Sequence, residues 1–121
     1  MEWKFETDRP VYLQLVEQIK LRIISGVYKP GERLPPVREL AAEASVNPNT
    51  MQKAFYELED GGLVITMRTA GRNITENKDI IEQTRIDIIT EFTDNFLRKM
   101  QVYGYSKSDV INILRERDID V

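Results

Sequence analysis

The chain has no cysteine and no histidine among its 121 residues. Without cysteine there is no disulfide framework and no thiol chemistry. Without histidine the commonest general base and a frequent ligand of transition metals are also missing. No phosphate loop of the GxxxxGK form occurs, and the carboxylates fall mostly on solvated helix faces. An enzyme is therefore not expected, nor any metal or cofactor. No apolar run approaches the roughly 20 residues that cross a bilayer, and Met1-Glu2-Trp3-Lys4-Phe5-Glu6 has no hydrophobic region of a signal peptide. No membrane contact is expected, and the reducing cytoplasm is the expected location.

Positive charge is also scarce, with a net charge of -3 and a pI near 5.1. Its distribution matters more than its sum. Residues 1–75 carry ten basic and ten acidic side chains, whereas residues 76–121 carry seven against ten, so the acidity belongs to the tail. Ala44–Tyr56 holds Lys53 and no acid, and Gly61–Thr75 holds Arg68 and Arg72 and no acid. Such locally positive faces attract phosphate across a Debye length of about 8–10 Å.

Those acid-free stretches coincide with the most patterned part of the chain. Val37, Leu40, Ala41 and Ala44 recur at the spacing of one buried helix face, and Met51, Ala54, Phe55 and Leu58 repeat it. Between them, Ser45-Val46-Asn47 is a turn of the length that joins the helices of a helix-turn-helix, whose second helix enters a DNA major groove. Asn47 can cap the second helix, Pro48 suits its first position, and Val46 can staple onto Met51. Asn49, Thr50, Gln52, Lys53 and Tyr56 are left facing outward. Asn and Gln can pair with adenine, Thr reaches a base edge or a phosphate, and Lys supplies charge.

The ordered set Pro10, Tyr12, Gln14, Leu15, Gly26, Pro30-Gly31, Leu34-Pro35, Val37-Arg38, Leu40-Ala41, Val46-Asn47-Pro48-Asn49-Thr50, Ala54, Leu58 and Gly61 resembles the winged helix of the GntR family of bacterial transcription regulators. The form of the turn and the short tail are similar to its YtrA-like branch. Two positions depart from the family pattern. Pro36 stands where serine is frequent, so the helix bearing Arg38 lacks its usual cap, and Thr69-Ala70-Gly71-Arg72-Asn73-Ile74 keeps a single wing glycine. The resemblance implies a mainly α fold with a small β-wing (α+β), a winged helix-turn-helix followed by a C-terminal helical hairpin. It also implies a sequence-specific DNA-binding regulator, of the repressor kind, in which Arg38 meets a base or a phosphate and Asn47 joins Asn49, Thr50, Gln52, Lys53 and Tyr56 at the DNA. The alternative is a winged helix used for protein contact, its acidic tail docking a partner.

Before this unit, Trp3 and Phe5 share one side of a short extended arm, and Pro10 opens a helix whose Tyr12, Leu15, Ile19 and Ile23 share a face, ended by Gly26. After it, Leu63–Thr66 has strand composition and Arg68-Thr69-Ala70-Gly71 reads as a hairpin tip, with Asn73–Thr75 returning. Arg68, Thr69, Gly71 and Arg72 are the wing's expected DNA contacts.

Residues 1–75 thus read as the DNA-binding domain with its N-terminal arm and residues 76–121 as a helical dimerisation tail. In the tail, Ile81, Ile88, Phe92, Phe96, Met100 and Tyr103 lie near one face of a helix spanning about 77–103, widened by Ile89 and Leu97 and ended by Gly104. Ser106 and Asp109 form a capping box for a last helix with Val110, Ile111 and Leu114 apolar. This tail exposes more apolar surface than it can bury, so a homodimer on double-stranded DNA, reading an inverted repeat, is expected. It is too short for the effector-binding or pyridoxal-phosphate aminotransferase-like domains of other branches. A cavity between two subunits near Phe92, Phe96 and Tyr103 leaves room for a small-molecule effector that nothing in the sequence identifies.

Overall fold

The computed structural model describes residues 2–69 and 71–120. Helix α1, Val11–Ile24, buries Leu15, Val16, Ile19 and Ile23. Its end is set at Gly26, whose φ of 84° lets the chain turn back so that the Tyr28 amide donates to the Arg22 carbonyl at 3.0 Å. Helix α2, Val37–Ala44, buries Leu40, Ala41 and Ala44, and no side chain caps its start because Pro36 has none to offer. Helix α3, Pro48–Asp60, buries Met51, Ala54, Phe55 and Leu58 and packs on both α1 and α2. These are the inward faces read from the periodicity, except that on α1 Val16 is buried while Tyr12 is half-buried, and on α2 Val37 is half-buried.

The turn between α2 and α3 is defined by its hydrogen bonds. Ser45 takes the left-handed conformation (φ 58°), and the amides of Ser45 and Val46 donate to the carbonyls of Ala42 and Ala41 at 3.2 and 2.9 Å. Val46 packs against the core, and the Asn47 side chain accepts the Asn49 amide at 2.8 Å as the cap of α3. Strands β1 (Val64–Met67) and β2 (Gly71–Ile74) form the antiparallel wing, pairing Val64 with Ile74 and Met67 with Gly71. Ala70 of the expected tip lies outside the described residues.

Two glutamines hold the arm. Gln18 accepts the Lys4 amide (3.2 Å) and donates to the Lys4 carbonyl (2.6 Å). Gln14, 2% exposed, does the same for Glu6 at 2.7 and 2.9 Å and donates again to Arg9 at 2.9 Å. The spacing explains the fit, because four helical residues advance about 6 Å and two extended residues about 6.6 Å. Each glutamine amide therefore stands in for a strand partner, and Trp3 and Phe5 turn onto the core. Arg22 lies 3.6 Å from the centroid of the Trp3 ring, and the Trp3 indole donates to Glu43 of α2 at 3.2 Å.

Helix α4 runs Lys78–Val102, its first amides received by Asn77 (Asp79 at 3.0 Å), and α5 runs Lys107–Glu116 behind the reciprocal capping box of Ser106 and Asp109. Gly104, at φ 87°, turns the chain between them. The chain separates into two compact units, one ending at Thr84 and one beginning at Arg85. Ile80 and Ile81 of the opening turn of α4 pack into the core of the first unit. Among the described residues no helix is long and apolar enough to cross a membrane.

Candidate nucleic-acid interface

Helix α3 presents two chemically different faces. Its four apolar side chains are buried against α1 and α2, while Asn49 and Lys53 are exposed, Tyr56 is 59% exposed, and Thr50 and Gln52 are half-buried. Asn47 uses its side-chain oxygen on the helix cap, while its amide donors remain available to other partners. Lys53 is held rather than free-swinging, its Nζ 3.7 Å from the centroid of the Tyr12 ring of α1. This cation–π contact ties the outward face of α3 to the start of α1.

Arg38 is exposed on α2. Among the described residues it makes no ion pair, and the two acids that could have taken it, Glu39 and Glu43, do not; Glu43 instead receives Trp3. Its guanidinium is thus free for an external acceptor. Arg68 and Thr69 are likewise exposed at the wing tip, and Gly71 opens β2 with φ 72°, a left-handed conformation favourable to glycine.

Two of the expected site residues are engaged in packing within the first unit. Arg72 turns toward α3, pairing with Glu59 and placing its guanidinium 5.1 Å from the centroid of the Phe55 ring. Its charge is matched inside the protein rather than offered at the wing surface. Ile81, expected in the tail's dimer face, is 8% exposed within the core of the first unit, because the opening turn of α4 closes that core before the tail stripe begins. In the second unit Phe92 is 69% and Tyr103 72% exposed, Ile89 and Phe96 are exposed, and Ile88, Leu97 and Met100 are half-buried. A 390 Å³ cleft runs between Asp94–Gln101 of α4 and Tyr105–Lys107.

Three contacts escaped the sequence. The Glu59–Arg72 pair joins helix to wing and follows no local pattern, and the Lys53–Tyr12 contact joins two helices distant in sequence. The Gln14–Gln18 clamp did leave a sign: two amides four residues apart, each beside a core residue (Leu15, Ile19), a spacing that places them on one helix edge.

The profile of bacterial regulatory proteins, gntR family, matches residues 11–74. The HTH-type transcriptional repressor YtrA of Bacillus subtilis is 34% identical over 116 residues, covering 95% of this chain and 89% of that protein. A GntR family transcriptional regulator from Listeria monocytogenes superposes with a TM-score of 0.86 at 38% identity, over 94% of this chain and all of that one. The DNA-binding domain of AraR, solved in complex with operator ORR3, superposes with a TM-score of 0.53 at 28% identity, over 60% of this chain and 87% of that one. The fold, the helix-turn-helix and these relatives agree: this chain belongs to the GntR family of bacterial regulatory proteins, transcription regulators and not enzymes.

Proposed function

We propose that the protein is a sequence-specific DNA-binding repressor of the YtrA-like branch that occupies an inverted-repeat operator as a homodimer, acting in the cytoplasm. The observation that carries this reading is the division of α3 into a fully buried apolar face and an outward face of Asn49, Thr50, Gln52 and Tyr56, with unpaired Arg38 on the neighbouring helix. Asn49 and Gln52 can pair with adenine edges and Arg38 with guanine, while the Thr50 and Tyr56 hydroxyls each offer a single contact. Lys53, Arg68, Thr69 and Gly71 take the sugar-phosphate backbone, and Asn47 contributes its amide donors. The unit that begins at Arg85 joins two subunits through Ile88, Ile89, Phe92, Phe96, Leu97, Met100 and Tyr103. The relatives support the reading, since YtrA is a repressor and AraR is seen on an operator.

Gel-shift titration against the DNA upstream of the protein's own gene tests it. Arg38→Ala and Asn49→Ala should each cost ~1–3 kcal/mol of specific binding, roughly a 5- to 150-fold loss, without lowering thermal stability. Undiminished affinity in both variants would remove α3 and its neighbour from the interface, and a wild-type protein that binds no DNA would point to a protein-contact role instead.

A further inference from the structure

We infer that Arg33, a residue of the approach to α2, is a phosphate-binding cation of the DNA interface and fills the place at the wing that Arg72 does not. The inference rests on the DNA-binding reading above.

Backbone pairing fixes the residue in place. The segment 31–34 lies along the free edge of β2: Gly31 donates to the Ile74 carbonyl at 2.9 Å, Ile74 donates to Glu32 at 2.8 Å, and Leu34 donates to Arg72 at 2.8 Å, with Arg33 bridged to Asn73. Successive side chains of an extended segment point to opposite faces. Leu34 is buried, and Arg33 accordingly stands on the outer face, exposed. Its guanidinium reaches back over the wing. A methyl group added at Gly71 would lie 3.4 Å from both Nε and Nη2 of Arg33, which places the guanidinium directly beside the Gly71 backbone.

Charge accounting then singles Arg33 out. A cleft of 320 Å³ opens between the Leu34–Val37 approach to α2 and Thr66, Gly71 and Arg72 of the wing, with Phe55 among its lining residues. Two arginines line it. Arg72 is neutralised by Glu59 and laid over Phe55, whereas Arg33 has no acidic partner among the described residues. One wall of the cleft continues into Arg38 and the other into the wing tip, the two elements assigned to DNA. A duplex that touches both must carry its backbone past the mouth of the cleft. A forked guanidinium standing there, anchored through its backbone to β2, suits a phosphate oxygen pair. Such a contact positions the duplex without reading its sequence.

The test is a salt series, by fluorescence anisotropy on the full chain, with the DNA upstream of its gene and a scrambled duplex of equal length. Arg33→Gln should weaken both duplexes by the same factor, roughly five- to tenfold near physiological salt, and lower the slope of log K against log salt by about 0.9, as one lost phosphate contact does. Arg33→Lys should restore most of the slope. The charge-neutral pair Glu59→Gln with Arg72→Gln should keep it, with circular dichroism confirming the fold. A wild-type slope in Arg33→Gln while wild-type binding is intact overturns this inference alone. A change of base preference in that variant also overturns it, since a phosphate contact carries none. Wild-type protein that binds neither duplex overturns the DNA-binding reading together with it.

Discussion

Replacing Phe92 and Phe96 together by glutamate should convert the proposed dimer to a monomer. The two rings are 69% and 44% exposed, which at roughly 200 Å² for a phenylalanine leaves about 230 Å² of aromatic surface on each subunit. Two-fold symmetry counts every substitution twice, so full coverage of both subunits would be worth about 11 kcal/mol at 25 cal/mol per Å². Even one third of that, about 4 kcal/mol, corresponds to roughly a thousandfold in the dimer dissociation constant. The introduced carboxylates add a desolvation cost at the seam unless they find partners. Sedimentation velocity at micromolar concentration reads the oligomeric state. Circular dichroism and Trp3 emission confirm that the first unit remains folded, and a gel shift measures the operator. A monomer should lose most of its operator affinity, because one half-site supplies only part of the contact energy. A double variant that stays dimeric would show that the tail is not the interface, and a monomer that binds the full operator undiminished would refute the inverted-repeat argument.

Three further outcomes follow from contacts in the first unit. Gln14→Ala removes three hydrogen bonds to the arm and should cost ~2–3 kcal/mol, capped by release of the arm into water; the emission of Trp3, the single tryptophan, should shift to the red before global unfolding, and an unshifted spectrum would mean the arm is held without the clamp. Ser45→Gly should stabilise the protein by about 0.5 kcal/mol, since relief of the left-handed penalty at φ 58° outweighs the added chain entropy of glycine; a lowered melting temperature in calorimetry would contradict this. Lys53→Ala should both lower stability by ~0.5–1 kcal/mol, through loss of its contact with Tyr12, and weaken binding to every DNA sequence equally. An altered base preference would show that Lys53 reads bases.

The sequence by itself determined those parts of the protein whose cause is local. The buried faces of α1, α2 and α3 follow from spacings of three and four residues, the cap of Asn47 and the box of Ser106 with Asp109 from side chains that reach amides two or three residues on, and the turns at Gly26 and Gly104 from freedom at positive φ. The outward set on α3 was legible as the remainder of a helix whose inner face was already assigned. What only the tertiary structure decided is how residues far apart in the chain share charge and surface. Arg72 and Arg33 are both arginines beside glycine-bearing turns, and nothing local separates them. The difference arises when Glu59 of α3 comes beside the wing and takes one of them, while pairing along β2 carries the other outward. Ile81 and Phe92 likewise share an apolar stripe in sequence, yet the core of the first unit covers Ile81 while Phe92 is left 69% exposed. Helical periodicity records which residues lie on one side of a helix, and only the packed neighbours decide which of them are covered.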